Sequence, residues 1–367
     1  MARKEFKLPP VSPLMGSTQS VWRDTLAGLP IDAQFNTKKR ITNGIINVTS
    51  PFRSYERNNI LKKARKSWPK QLIFIVGHWR SGTTFLHNLM SQAEDATYVT
   101  TYQTVFPNFM GSQWLFRPVM KWVMPNRRPA DNVKLNVDFP QEEEFALSAM
   151  NPHTYYRFMY FPKYYDRFYR ESVTFETMSE TDKAQFTRDY CDLVHMAHWN
   201  RPRDTMIIKN PVHTARMPYL AKEFPDAKFI HIHRNPYTVF RSSLKFFTKL
   251  LPTLWFEAVS DEFIQEMILD IYVRMYKDYY NSIEQLPDLN LYELKFEEFE
   301  QDPFGHLKDM YSSLDLGDFN ASSAKFQDYL DLKKSYKKNV YAFPENLVEV
   351  VDERWGEYVD KWGYNVP

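Results

Sequence analysis

The chain has 367 residues, 43% of them hydrophobic, and a formal net charge of +2. That is enough apolar material for a sizeable core, and it lacks the polyelectrolyte character that would make nucleic acid the main partner. A single cysteine, Cys191, excludes intrachain disulfides and cysteine-built zinc sites and suits a reducing compartment.

Residues 1–50 read as a partly irregular N-terminal arm without an apolar leader, and a helix is predicted over 57–66. No stretch approaches the roughly 18 uninterrupted apolar residues of a membrane span, so a cytoplasmic protein is expected. Leu72–Val76 is an apolar, mostly β-branched run, as for a strand buried on both faces. Gly77 ends it, Gly82 follows five positions later, and Thr83-Thr84 open a segment with helical spacing. The chain has only ten glycines, so two framing one loop indicate close backbone approach. Such a strand–loop–helix unit aims backbone N–H groups and a helix N-terminus at one point, which makes an anion site.

Residues 97–205 read as a long, mostly helical insertion carrying the proline and aromatic clusters, among them TYYRFMYFPKYYDRFYR (154–170). Two readings stand for these rings: thick helix packing, or an apolar pocket for a hydrophobic ligand. Asp182–Trp199 is the clearest helix here, and Cys191 is expected on a buried helix face. Strands are then predicted at 206–209, 228–233 and 289–296, with helices at 215–224, from 237, and at 261–286, 304–314 and 346–362. This alternation implies an α/β fold, a central parallel sheet flanked by helices and joined by right-handed crossovers, with ligands at the carboxyl ends of its strands. Gly77, Lys209 and Arg234 all stand at such ends. Without internal repeats or low-complexity linkers, residues 1–367 read as a single domain with a helical insertion.

The loop has the glycine spacing of a P-loop, but Thr83 stands where the phosphate-binding lysine belongs, and the cation, Arg80, lies inside the loop. None of the later strands ends in an aspartate suited to Mg²⁺. The pattern therefore predicts an anion neutralised by Arg, Lys and hydroxyls without metal. A second motif, HIHRNPYTVFRSS (231–243), ends a strand in Arg234, turns at Asn235-Pro236 and brings up Ser242 within the next helix. A guanidinium and a hydroxyl joined this way suit a second, separate phosphate.

With both motifs in place the chain resembles the sulfotransferases that use 3′-phosphoadenosine 5′-phosphosulfate (PAPS) and release 3′,5′-bisphosphoadenosine (PAP). The resemblance takes in IIKNPVH (207–213), FPDAKFIHIHRNP (224–236), FEEFEQDP (296–303) and WGY (362–364), a span of roughly residues 71 to 364, and is closest to the broad bacterial and carbohydrate-type branch. It implies a P-loop-like sulfotransferase fold with the insertion on the acceptor side. Arg80, Ser81, Gly82, Thr83 and Thr84 would cradle the 5′-phosphosulfate, while Arg234 and Ser242, in the pattern RNPxxVxxS, would hold the 3′-phosphate. Lys337 and Lys338 of SYKKNVY would assist there, without the family's usual RKG form. Lys209 corresponds to a lysine contacting the migrating sulfuryl group, and it and Arg80 would stabilise charge on the bridging oxygen as the S–O bond breaks.

A base must also take the acceptor's proton. Glu142 in DFPQEEEF, chosen by its spacing from Pro140, is the first candidate, with Glu143 and Glu144 beside it; an acidic first turn complementing a helix dipole is the plain alternative. His213, four residues after Lys209, is the rival base. His231 and His233 alternate with isoleucines and are expected to be packed, and Phe296 stands where relatives often carry Tyr. The implied reaction is sulfuryl transfer from PAPS to a hydroxyl of a small, largely apolar acceptor: a sterol or steroid, a lipid alcohol or a phenol. Competing readings are a carbohydrate acceptor, a P-loop nucleotide kinase-like phosphotransferase, and a non-catalytic nucleotide-binding scaffold. Oligomeric state is not legible in the sequence.

Overall fold

The apolar run at 71–76 becomes β1 (Gln71–Val76), and β2 (Ala96–Thr97), β3 (Thr205–Lys209), β4 (Lys228–His233) and β5 (Leu291–Lys295) follow in the chain. The computed structural model describes residues 11–124, 135–333 and 343–367, and among them the strands form one sheet in the order β2–β3–β1–β4–β5. Every pairing is parallel, with Ile75 opposite Lys209 on one side and Ile230 on the other. Two-residue β2 has no pattern long enough to read in the sequence.

The chain divides into two compact units. One, Pro69–Tyr98, Arg203–Lys245 and Gln265–Pro367, holds the sheet. Strand side chains alternate between its faces. Ile73, Ile75, Ile207, Ile230 and Ile232 pack with Leu86 and Leu89 of helix Thr83–Met90 and with Phe299, Leu307 and Met310. The opposite face carries Phe74, stacked on Phe229 with ring centroids 5.4 Å apart, and His231, stacked on Tyr279 at 4.1 Å. Tyr272 of helix Asp261–Gln285 lies flat on the fully buried Trp355 of helix Glu345–Lys361, whose indole N–H donates to the Leu269 carbonyl. His233 stacks on Trp362 at 4.5 Å, so both histidines of β4 are packed. Helix Phe319–Lys333 was not anticipated; its buried Phe326 is edge-on to Tyr311.

The other unit, Met1–Trp68, Val99–Pro202 and Phe246–Ile264, is helical. Helices Gln19–Leu26 and Asn36–Val48 stand where an irregular arm was expected, the first capped by the Thr18 hydroxyl and burying Val21 and Trp22. The expected helix over 57–66 is instead helix Ser50–Tyr55, a π turn Glu56–Ile60 and a short helix Leu61–Ala64. The π turn holds a buried carboxylate: Glu56 accepts from the Gly111 and Ser112 amides at 2.8 and 2.6 Å and from the Ser112 hydroxyl at 2.7 Å. The aromatic run at 154–170 is core. Tyr155, Tyr156, Phe158, Tyr160 and Phe161 are at most 1% exposed, with Tyr155 stacked on Phe158 and Phe161 on Phe256. Cys191 is half-buried on helix Glu180–Asn200 rather than on its buried face. Among the described residues no helix is long and apolar enough to cross a membrane.

Candidate active site

Two strand ends in the sheet unit use one local device. β3 ends in Lys209 and β4 in His233, with Arg234 the next residue; each cation is followed by Asn-Pro. Asn210 Oδ1 accepts the Val212 amide at 3.1 Å, and Asn235 Oδ1 accepts the Tyr237 amide at 3.1 Å, while Pro211 and Pro236 take the first helical position. The asparagine caps, the proline needs no N–H partner there, and the cation is left at the carboxyl edge of the sheet.

The loop after β1 reaches the same edge. Gly77 has φ +134° and Gly82 φ +100°. A Cβ on Gly77 would lie 2.2 Å from the Ile232 carbonyl oxygen, and one on Gly82 would lie 2.1 Å from the Phe296 ring, so close packing as well as conformation requires both glycines. Between them Arg80 also has a left-handed backbone, φ +71°, which costs a side-chain-bearing residue about 1–2 kcal/mol. Ser81 folds back, its hydroxyl donating to the His78 carbonyl at 2.7 Å, and Gly77 N–H donates to Thr214 Oγ1 at 2.7 Å. Gly82 is the N-cap of helix Thr83–Met90, and no side chain caps that helix start. Thr83 is buried and Thr84 exposed in its first turn.

The two motifs meet. Arg80 Nε donates to Ser242 Oγ at 2.9 Å across 162 residues, and an Arg234 Nη1 lies 3.5 Å from the Arg80 carbonyl. The Arg234 guanidinium sits over the Phe296 ring, 4.3 Å from its centroid, a cation–π contact that holds it in place. Phe296, read from sequence only as the loss of a hydroxyl, therefore both closes on Gly82 and supports Arg234. Behind it, Glu297 accepts from the Asn235 amide at 3.1 Å and from the Tyr364 hydroxyl at 2.9 Å, so the FEEF and WGY segments brace the Asn235 turn.

Lys209 is 2% exposed and, in register with Ile75, leaves β3 on the face covered by helix Thr83–Met90. His87 of that helix is buried, and burial together with the Lys209 charge pushes its pKa down to about 3, keeping the ring neutral. No sequence pattern singled out His87. His213, also buried, is edge-on to Phe74 at 5.5 Å, on the opposite face of the sheet from Lys209.

Glu142 lies in the helical unit, as the N-cap of helix Glu143–Ser148. The three consecutive glutamates have different surroundings. Glu144 is fully buried and accepts the Tyr155 amide at 2.9 Å, Glu143 is 1% exposed, and Glu142 is half-buried and accepts the Tyr156 hydroxyl. Burial and then the Glu142 charge hold the Tyr156 hydroxyl well above the usual tyrosine range, so it stays a proton donor to that carboxylate. Lys337 and Lys338 lie outside the described residues. Among the described residues no group of three His, Cys, Asp or Glu side chains is placed to hold a metal ion.

A parallel sheet with a glycine-framed loop, an uncapped helix N-terminus and three cations at its carboxyl edge is an arrangement suited to anions, in an α/β protein of the P-loop-like kind. The sulfotransferase family model matches residues 71–320, and the chain belongs to that family and is a sulfotransferase. It is similar to omega-hydroxy-beta-dihydromenaquinone-9 sulfotransferase Stf3 of Mycobacterium bovis, 33% identical over 294 residues that cover 80% of this chain and 75% of the relative. Its fold resembles sulfotransferase STF9 from Mycobacterium avium, with TM-score 0.71, 17% identity and coverage of 95% and 93% of the two chains. Sulfotransferase STF1 from Mycobacterium tuberculosis aligns with TM-score 0.60, 16% identity and coverage of 92% and 90%.

Proposed function

We propose that the chain transfers a sulfuryl group from PAPS to the hydroxyl of an apolar lipid alcohol, releasing PAP. The observation that carries the donor is the Arg80–Ser242 bond: the loop after β1 and the RNPxxVxxS segment, 162 residues apart, stand side by side, which supports their sharing one nucleotide with phosphate at both ends. The residues fit such a donor, because cations, hydroxyls and an uncapped helix start supply positive charge without a metal. Arg80, Ser81, Gly82, Thr83 and Thr84 hold the 5′ end, and Arg234 and Ser242 the 3′ end. The acceptor oxygen attacks sulfur, the S–O bond to the 5′-phosphate breaks, and Glu142 takes the hydroxyl proton. Lys209 and Arg80 stabilise the oxygen that departs. Glu142 is preferred to Glu143 and Glu144 because it alone of the three is half-exposed, and to His213 because that ring packs on Phe74.

The aromatic run no longer argues for an apolar acceptor, since its rings are packed against one another. A lipid alcohol is instead supported by the 33% identical relative, whose name specifies a hydroxylated dihydromenaquinone. The cytoplasm, with its reducing conditions, is the compartment proposed. Substitution Lys209→Ala tests the catalytic assignment. Binding of PAP, measured by calorimetry, should persist while kcat falls about 10²–10³-fold; unchanged turnover, or stabilisation by ATP with Mg²⁺ and not by PAP, overturns it.

A further inference from the structure

Helix Gln113–Val123, in the helical unit, presents an apolar row to solvent. Trp114, Pro118 and Trp122 recur every four residues on one face; the two indoles are 74% and 86% exposed, and neighbouring Val119 is 56% exposed. On the buried side Phe116 packs edge-on to Phe52, and Glu56 fastens the chain just before the helix through Gly111 and Ser112. Large exposed aromatic side chains in a row mark an interaction surface rather than ordinary scatter.

Charge says what the partner is. Residues 36–66, in the same unit, contain nine Lys or Arg and a single acid, the buried Glu56, although the remainder of the chain is net acidic. Lys39, Arg40, Arg57, Lys62, Lys63 and Lys66 are exposed. On the Trp helix itself Lys121 is exposed and Arg117 pairs with Asp138 at 2.5 Å, both flanking the apolar row by helical spacing. Tryptophans that sit at headgroup depth beside cations that attract anionic lipid are the two requirements of an interfacial membrane anchor.

We propose that this face docks the enzyme on the surface of an anionic lipid bilayer, with Trp114 and Trp122 inserted at the interface and the basic segment 36–66 held by headgroup charge. The proposal rests on the exposed face and not on the donor or acceptor assignment, and its test reads binding rather than turnover. The full chain is sedimented with phosphatidylcholine–phosphatidylglycerol vesicles and with phosphatidylcholine alone. It should bind the anionic vesicles preferentially and be released by salt. W114S/W122S should weaken binding at least about tenfold. K62E/K63E should weaken it about fivefold or more for each position. Circular dichroism and melting curves confirm that both variants fold, as their exposed positions allow. No vesicle binding by the wild-type chain, or equal binding by W114S/W122S, overturns the proposal. So does a wild-type dimer that W114S/W122S converts to monomer without any vesicle affinity, since the face would then be a subunit contact.

Discussion

At the scale of single residues, the loop after β1 is held by what its glycines lack. Gly82→Ala would place a methyl group 2.1 Å from the Phe296 ring at a φ of +100°. The expected outcome is a loss of at least ~2 kcal/mol of stability in denaturant titration, with weakened PAP binding because the ring must shift from under Arg234. A variant as stable as the parent would show that the loop relaxes freely. The glycines were visible in the sequence; the ring that makes Gly82 obligatory was not, because Phe296 lies 214 positions away and reads locally as one more strand-end aromatic. The same holds for the three glutamates, which share one composition and are told apart only by which backbone or hydroxyl each one meets.

At the scale of elements, Lys209-Asn210-Pro211 and Arg234-Asn235-Pro236 show a cation at or just past a strand's end, then a cap and a helical start, each from three adjacent residues. That device is local and was legible. The π turn that interrupts the chain after helix Ser50–Tyr55 was not, because it holds a distant partner: Glu56 points inward and accepts the amides of Gly111 and Ser112. Glu56→Ala leaves these donors and a serine hydroxyl buried without their acceptor. It should cost about 2–4 kcal/mol in urea titration, more than substitution of an exposed glutamate on the same unit. A loss below that of the exposed control would mean that water replaces the carboxylate.

At the scale of the whole molecule, the sheet unit buries histidines in their neutral form. Burial lowers His78 to about 4, His87 and His233 to about 3, and His231 below its ordinary value. The unfolded chain takes up these protons near pH 6.5, whereas the folded chain takes them up only near pH 4 at His78 and near pH 3 at His87 and His233. Stability is therefore full above pH 6.5 and falls as the pH drops through that window, by up to about 2 kcal/mol per histidine at pH 5. Urea midpoints measured from pH 7 to pH 5, where most carboxylates are still ionised, should decline; a flat profile would mean that these rings take up protons without unfolding. The sequence by itself determined the parallel α/β sheet, the glycine-framed loop after β1 and the cations at the strand ends, because β-branched runs, glycine spacing and Asn-Pro caps act between neighbouring residues. Only the tertiary structure decided that Arg80 meets Ser242, that Phe296 supports Arg234, and that the aromatic run is core while two tryptophans face solvent. Those outcomes depend on packing between segments tens to hundreds of residues apart, which no local pattern encodes.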